Sequence, residues 1–168
     1  MHTISPPQSR RGHAALRRGR VSIPGQAYHL TSSTAFRRRL FSQFEVACAA
    51  AGSFSAACRS GGADLVAWVL MPDHAHWLIE LGDDATLADV ANRLKSASAR
   101  AVNAASGCAG QRVWAPGYHD HALRSDETLR NVAAYIVTNP VRAGLVATPF
   151  DWPWWDARWI HPGSDWLP

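Results

Sequence analysis

Two histidine pairs in the sequence have the spacing of a metal site. His74 and His76 stand two residues apart, and so do His119 and His121. Side chains two positions apart on a β-strand project from the same face, so either pair could place two imidazoles on one divalent cation. The spacing does not distinguish the two pairs, and a His-x-His sequence also arises by chance on half-buried strands.

Tyr135 is the side chain that stands out as a candidate nucleophile. It lies in a segment with helical periodicity, and Asn139 follows one turn later on the same face. Tyrosine is among the side chains that form covalent intermediates in enzymes. A tyrosine inside an apolar helix is more often a core residue with a hydrogen-bonded hydroxyl, so the residues alone leave both interpretations open.

Alternation, helical spacing and turn residues predict seven elements that would position these side chains. The predicted elements are a strand over 26–34, a helix over 41–59, strands over 64–71 and 74–81, a helix from 86 to about 107, a short strand over 118–124 and a helix from 125 to about 139. Thr86 and Ser125 are the predicted N-caps of the last two helices, and Pro140 ends the final one.

The first six elements follow the β-α-β-β-α-β order of a split βαβ arrangement. We therefore predict an α+β fold, a ferredoxin-like sandwich with helices on one face of an antiparallel sheet, and an extra C-terminal helix that carries Tyr135. On the predicted third strand, His74 and His76 share a face with Leu78 and Glu80, and the residues between them form the core face.

The positive charge of the chain is concentrated near its N-terminus. Residues 1–40 contain eight arginines and no acidic residue, whereas the remaining residues carry a net charge of −4. A basic segment on a mildly acidic body is typical of proteins that bind a phosphate backbone, although a solvated tail shows the same pattern. The length predicts one domain over 23–150, preceded by a basic arm over 1–22 and followed by a Trp-rich tail over 151–168.

Longer strings around both candidate sites resemble those of a known enzyme family. Residues 71–79, MPDHAHWLI, and residues 135–145, YIVTNPVRAGL, are similar to two motifs of the single-tyrosine transposases of the HUH nuclease superfamily. The sequence looks most like the REP-associated tyrosine transposase branch. Shorter matches lie at 28–31, 117–121, 124–127 and 151–154, so the resemblance covers about residues 20–156.

The resemblance implies a metal-dependent transesterification on single-stranded DNA, which is a sequence- and hairpin-specific nicking and strand-transfer reaction. His74 and His76 match the two histidines of the HUH motif, and Tyr135 matches the catalytic tyrosine. Asn139 falls where the family has a third metal ligand. The implied cofactor is Mg²⁺ or Mn²⁺ without a nucleotide, and the implied intermediate is a 5′-phosphotyrosine. The family fold is also ferredoxin-like.

The partner implied by the resemblance is a palindromic, hairpin-forming DNA with a single-stranded foot. Basic residues after the first strand and on the second helix are the predicted DNA contacts: Arg37, Arg38, Arg39, Arg93, Lys95 and Arg100. The resemblance further implies that His119 and His121 support the site or contact DNA. We expect a monomer in preference to a homodimer.

The cysteine count and the apolar pattern predict where the protein acts. Three cysteines without metal-type spacing indicate no disulfide framework, and no apolar stretch has the length of a membrane span. The N-terminus also lacks the apolar core of a signal peptide. We therefore expect the protein in the bacterial cytoplasm, associated with the nucleoid.

Two other functions stay open at the level of the sequence. A protein of the same fold could bind DNA hairpins as a regulator and leave them uncut. Alternatively, His119 and His121 could bind zinc in a ferredoxin-like domain that recognises RNA or a protein.

Overall fold

Five antiparallel strands form the central sheet in the part of the chain that the structure, a computed structural model, describes, residues 22–125 and 127–161. The strands are β1 (Ala27–Ser33), β2 (Ala63–Met71), β3 (His74–Leu81), β4 (His119–Ala122) and β5 (Trp155–Ala157). Their order across the sheet is β4-β1-β3-β2-β5. The strand of the first histidine pair, β3, is therefore central, and the strand of the second pair, β4, lies at an edge.

The helices of the described residues lie between consecutive strands in the sequence. They are α1 (Phe44–Ser60), α2 (Leu87–Ala105), α3 (Leu129–Val137) and α4 (Asn139–Arg142), with short 3₁₀ helices at Ala35–Arg37, Leu40–Ser42 and Pro149–Asp151. The order up to β4 is β-α-β-β-α-β, which confirms the predicted α+β, ferredoxin-like fold. None of the described helices combines the length and the apolar composition that a membrane span requires.

Helices cover both faces of the sheet. The first two helices, α1 and α2, pack on the face that carries Leu30, Leu70 and Trp77. The third, α3, packs through Ile136 on the face that carries Leu78. Alternate residues of β3 therefore serve two separate clusters, as the two-residue period of a strand requires. The predicted packing of the first two helices on one face is confirmed, and α3, for which the sequence predicted no face, lies on the other.

Aromatic side chains support β3 from behind the histidines. Trp77 is 1% exposed, and its ring meets those of Phe54 and Trp114 edge-on, with centroids 5.3 and 5.6 Å apart. Burial of a side chain of this size stabilises a fold by roughly 3 kcal/mol. The strand that carries His74 and His76 is thus anchored in the core through the residues that alternate with them.

The two predicted helix caps have different outcomes. Thr86 caps α2 as predicted, because its hydroxyl accepts a hydrogen bond from the backbone N–H of Asp89. Ser125 does not cap α3, which begins at Leu129 with Thr128 as its N-cap. The backbone N–H of Arg124 instead donates to the Glu127 carboxylate at 2.8 Å, which holds the preceding residues in a turn.

The Trp-rich C-terminal segment joins the sheet. Residues 155–157 form β5 against the edge of β2, a strand that the sequence did not predict. The indole of Trp152 donates to the carbonyl of Leu70 at 3.0 Å, and Trp154 packs against the α1 and α2 side of the core. The predicted basic arm lies outside the described residues except for residue 22, and the arm and tail boundaries stay predictions.

Candidate active site

One face of the sheet collects histidines from three strands. In the register of the sheet, Thr31 of β1 pairs with His76 on one side and His119 on the other. The next outward-facing residue of β1, His29, pairs with His121. Because paired residues point to the same side of a sheet, both His-x-His pairs lie on one face, opposite α1 and α2. Sequence spacing alone could not show that the two pairs are neighbours.

His76 has one nitrogen held and the other without a partner. Its Nδ1 lies 2.9 Å from Nε2 of His29 and 3.0 Å from Oγ1 of Thr31, whereas its Nε2 is buried and has no hydrogen bond. Burial lowers the pKa of His76 to about 3, with further lowering by His29 and His74, so its imidazole is neutral. A neutral imidazole with its proton on Nδ1 presents the lone pair of Nε2, which is the form that binds a metal.

His74 completes a two-imidazole site with a different support. Its Nδ1 lies 2.6 Å from Oδ1 of Asp73, and its ring centroid lies 5.0 Å from that of His76. A carboxylate on Nδ1 is a common support for a metal-binding histidine, since it fixes the ring and leaves Nε2 for the ion. In both histidines Nδ1 is hydrogen-bonded within the protein and Nε2 is left for an ion, so the residues present fit a divalent cation.

The third ligand that the sequence predicts for such a site is Asn139. Among the described residues, no group of three His, Cys, Asp or Glu side chains is close enough to hold an ion. Asn139, the sequence-predicted ligand, begins α4, and its Nδ2 donates to the carbonyls of Tyr135 and Ile136 at 3.1 and 2.9 Å. These bonds turn the amide nitrogen towards α3 and leave Oδ1 as the atom that could bind a cation.

Tyr135 lies on the histidine side of α3 and is not a core residue. Its side chain is 44% exposed, whereas its neighbour Ile136 is fully buried against the sheet. The ring of Tyr135 stands edge-on to the ring of His29, with centroids 6.3 Å apart. The helix therefore brings the candidate nucleophile to the face that carries the candidate ligands.

Arg142 covers the ring of Tyr135. Its guanidinium carbon lies 4.4 Å from the ring centroid, within the range of a cation–π contact. The two residues are seven positions apart in the sequence. Arg142 is the last residue of α4, which has Pro140 in its first turn. Sequence reasoning did not single out Arg142, because the change from α3 to α4 that brings it back over the tyrosine has no periodic signal.

Sequence reasoning also missed His29 and Thr31 as supports of His76. Their alternation on β1 was visible, but only the register with β3 shows which histidine they meet. Burial lowers the pKa of His29 to about 4, and His121 lowers it further, so His29 is neutral and can accept a hydrogen bond from His76.

A cavity of about 440 Å³ opens beside the tyrosine. It is lined by His29, His121, Glu127, Asn131, Val132 and Tyr135. The carboxylate of Glu127 lies 2.8 Å from Nε2 of His121. The Arg124 backbone N–H and His121 hold the pKa of Glu127 below its usual range. His121 thus has a carboxylate partner of its own at the cavity wall, away from the His74–His76 pair.

The arginines after β1 border the site. Arg37 reaches Asp73, with 3.4 Å between its Nη1 and Oδ2 of the carboxylate. Arg38 points back into the loop, where it donates to the carbonyls of Ala35 and Arg112. Arg39 lines a small cavity together with His74. Two of the three predicted contacts thus lie beside Asp73 and His74.

The basic residues of α2 are not brought to the site. This helix covers the opposite face of the sheet, where Arg93 and Arg100 are exposed. Lys95 donates to the carbonyl of Ala115 at 2.8 Å and also to that of Gly117, so it supports the loop before β4. Their contact with DNA stays a prediction, and it would require DNA that extends around the molecule.

Comparison with known proteins identifies a matching family and a curated relative. The family model described as "Transposase IS200 like" matches residues 22–139. A curated REP-associated tyrosine transposase from Escherichia coli (strain K12) is 32% identical over 110 residues, which are 61% of this chain and 62% of that protein. The match thus spans less than two thirds of the length of the curated relative.

Solved structures show the same fold. A REP-associated tyrosine transposase bound to a REP hairpin aligns with a TM-score of 0.63 and 26% identity, over 81% of this chain and 79% of the other. A chain from Deinococcus radiodurans R1, described as a candidate transposase, aligns with a TM-score of 0.54 and 28% identity, over 71% of this chain and 95% of the other.

Proposed function

Because this chain belongs to the family of IS200-like transposases, we propose that it nicks and rejoins single-stranded DNA through a covalent link to Tyr135. The resemblance to REP-associated tyrosine transposases that the motifs indicated is confirmed. The observation that carries the proposal is the pairing of two features on one face of the sheet. The first is Nε2 of His76, which is buried and makes no hydrogen bond. The second is the Tyr135 side chain, which is partly exposed.

The residues divide the chemistry between them. A divalent cation, Mg²⁺ or Mn²⁺, would be held by Nε2 of His74, Nε2 of His76 and Oδ1 of Asn139, and would polarise the scissile phosphate. The phenol of Tyr135 loses its proton to water or a nearby base, and its oxygen bonds to phosphorus. The bond from phosphorus to the 3′ oxygen breaks, and that oxygen takes up a proton as a 3′-hydroxyl.

The covalent link makes the reaction reversible without a nucleotide cofactor. The phosphodiester broken in the first step is replaced by a phosphotyrosine ester, so little bond energy is lost. A 3′-hydroxyl attacks the same phosphorus in the second step, and Tyr135 leaves. Free phenol has a pKa of about 10. The Arg142 guanidinium over the ring places a positive charge beside the proposed nucleophile.

The substrate we propose is a hairpin-forming DNA with single-stranded flanks. Support comes from the solved relative, which is bound to a REP hairpin, and from Arg37 and Arg39 beside the histidine pair. His29 and Tyr135 contact each other within one chain, so a single subunit supplies both halves of the site. We therefore propose that each chain acts with its own residues, as a monomer.

The central test measures a covalent adduct. Labelled hairpin oligonucleotides with randomised single-stranded flanks are incubated with the protein and Mn²⁺, and denaturing gels detect labelled protein. Wild type should form the adduct and Tyr135→Phe should form none, while Tyr118→Phe, a matched loss of a hydroxyl, should retain it. Binding without any adduct in wild type would instead favour a hairpin-binding regulator.

A second test separates the two histidine pairs. Mn²⁺ binding is followed by electron paramagnetic resonance in His74→Ala and in His119→Ala. We expect loss of binding in the first variant and near-normal binding in the second. The opposite pattern would place the metal on the edge strand and support the zinc-type alternative.

A further inference from the structure

The turn after β1 has a backbone conformation that residues with a side chain rarely adopt. Phe36 has φ 59° and ψ 22°, and the next residue, Arg37, has φ 55°. These are the only residues other than glycine with positive φ in the part of the chain that the structure describes. A left-handed conformation at two consecutive such residues is unfavourable, and it persists only where the surroundings enforce it.

Three contacts with two neighbouring segments hold this turn. The backbone N–H of Thr34 donates to the carbonyl of Asp73 at 2.8 Å, and that of Ala35 donates to the carbonyl of Val113 at 2.8 Å. Arg37 adds its ion pair with the carboxylate of Asp73. The turn is therefore fixed to the β2–β3 connection and to the loop before β4 by contacts within the protein.

The side chain that this turn displays is an aromatic ring. Phe36 is 85% exposed, the highest value among the exposed large apolar side chains of the described residues. Exposure of a phenyl ring gives up the free energy of burying it. A strained turn that holds such a ring in solvent combines two unfavourable features, a combination typical of a binding element.

The turn that carries this ring lies next to the proposed catalytic centre. Asp73 bonds Arg37 of the turn through Oδ2 and Nδ1 of His74 through Oδ1. The surroundings are cationic, since Arg37 is 66% exposed in its side chain and Arg39 is also exposed. A ligand that contacts this surface must offer a flat apolar face and negative charge, which are the two features of an unpaired nucleotide.

We propose that Phe36 is a stacking platform for an unpaired nucleobase of the DNA strand held at the His74–His76 site, with Arg37 and Arg39 on the adjoining phosphates. The inference rests on the proposed function in so far as the ligand is single-stranded DNA. An aromatic ring accepts the face of any base, so the platform contributes affinity for unpaired DNA without selecting its sequence. The fixed turn limits the conformational entropy lost on binding.

The test separates stacking on bases from contact with phosphates. Two pools of fluorescein-labelled hairpins are compared by fluorescence anisotropy in EDTA, which prevents metal-dependent cleavage. One pool has randomised single-stranded flanks, and the other has abasic flanks with the same number of phosphates. Wild type should bind the first pool about tenfold or more tightly than the second. Phe36→Ala should lose this preference and keep its affinity for the abasic pool.

Two further substitutions separate stacking from folding. Phe36→Gly suits a positive φ, so this protein should unfold at the same temperature as wild type or higher, and yet lose the preference for bases. Phe36→Trp should retain the preference. The matched control is Phe150→Ala, which removes a ring that is 43% exposed and packs against Trp155; it should bind both pools as wild type does.

The inference is overturned by any of three results. The first is that wild type binds both pools equally. The second is that the preference for unpaired bases survives in both Phe36→Ala and Phe36→Gly. The third is that Phe150→Ala loses this preference as fully as Phe36→Ala does. Because the binding assay involves no covalent chemistry, it can succeed where the Tyr135 adduct test fails. A protein that forms the adduct with no preference for bases would retain the proposed function and lose the platform.

Discussion

A metal-binding imidazole must present one ring nitrogen that carries no proton. The hydrogen bond made by the other ring nitrogen determines which of the two carries the proton. In His74 the carboxylate of Asp73 holds Nδ1, so the proton is kept there. In His76 the holding group is neutral His29, aided by Thr31. A neutral acceptor keeps the local charge low, which suits a buried position better than a second carboxylate would. The orientation of His76 thus depends on a residue of a different strand.

Replacement of His29 should weaken metal binding without removing a ligand. We expect His29→Leu to lower Mn²⁺ affinity by about 10- to 100-fold, because Nδ1 of His76 loses its acceptor. His29→Gln, whose Oε1 can take the position of Nε2, should recover part of the loss. Mn²⁺ titration followed by electron paramagnetic resonance measures both. His121→Leu removes a histidine of the same face and serves as the control; equal effects of the two Leu variants would contradict a specific role for His29.

Arg142 should act through Tyr135 and the phosphate and should have little effect on the metal. A flat guanidinium can stack on the phenol ring and still donate hydrogen bonds to a phosphate oxygen, which an ammonium on a flexible stem does poorly. We expect Arg142→Ala and Arg142→Lys to form the adduct about 10- to 100-fold more slowly at saturating DNA. Mn²⁺ affinity should stay unchanged. Arg130→Ala, which removes a similar contact between α3 and Trp159, should react at the wild-type rate.

At the level of the element, α3 positions Tyr135, and its N-cap residue determines where the helix begins. Thr128 accepts a hydrogen bond from the backbone N–H of Asn131 at 3.2 Å, whereas Ser125 lies in the turn before the helix. Thr128→Ala should therefore lower the free energy of unfolding by about 1 kcal/mol. Ser125→Ala should change it by less than about 0.5 kcal/mol. Urea denaturation compares the two, and a larger effect at Ser125 would show that the helix begins earlier.

The same elements show what the sequence can and cannot predict. The bounds of β3 were predicted correctly, since Pro72 and Gly82 mark both ends of an alternating apolar run. The start of α3 was not, because Ser and Thr both suit an N-cap and only the Glu127 carboxylate, bonded to the Arg124 N–H, excludes the earlier position. β5 was missed because three residues between tryptophans and prolines carry no alternation. Its pairing depends on the free edge of β2, a tertiary feature.

The candidate site follows the same division. His74, His76 and Tyr135 were predicted from the resemblance of the surrounding motifs, which are local signals, and their roles stay predictions. The supports were not, because the contact of His29 with His76 depends on strand register and that of Arg142 with Tyr135 depends on the break between α3 and α4. Candidate ligands and a candidate nucleophile can thus be predicted from the sequence, whereas the side chains that contact them are identified only by the fold.

At the scale of the whole molecule, the two faces of the sheet differ in how far helices cover them. One face is closed by α1, α2 and the aromatic cluster around Trp77. The other carries the histidines, and α3 covers only the part of it away from the His74 end, around Leu78 and Ile136. The face that carries the proposed site is therefore the one on which we expect DNA to bind. Arg93 and Arg100, on the closed face, are the predicted contacts farthest from that expectation.

This arrangement also predicts that each chain works alone. In a shared active site, the tyrosine of one subunit would serve the metal of another, and two inactive variants would complement each other when mixed. Here Tyr135 meets His29, the support of His76, within one chain. We therefore expect a mixture of His76→Ala and Tyr135→Phe proteins to form no adduct, even after they are unfolded together and refolded. A mixture that recovers a substantial fraction of wild-type adduct on the denaturing gel would show that α3 is exchanged between subunits, and size-exclusion chromatography of wild type should then show a dimer in place of the expected monomer.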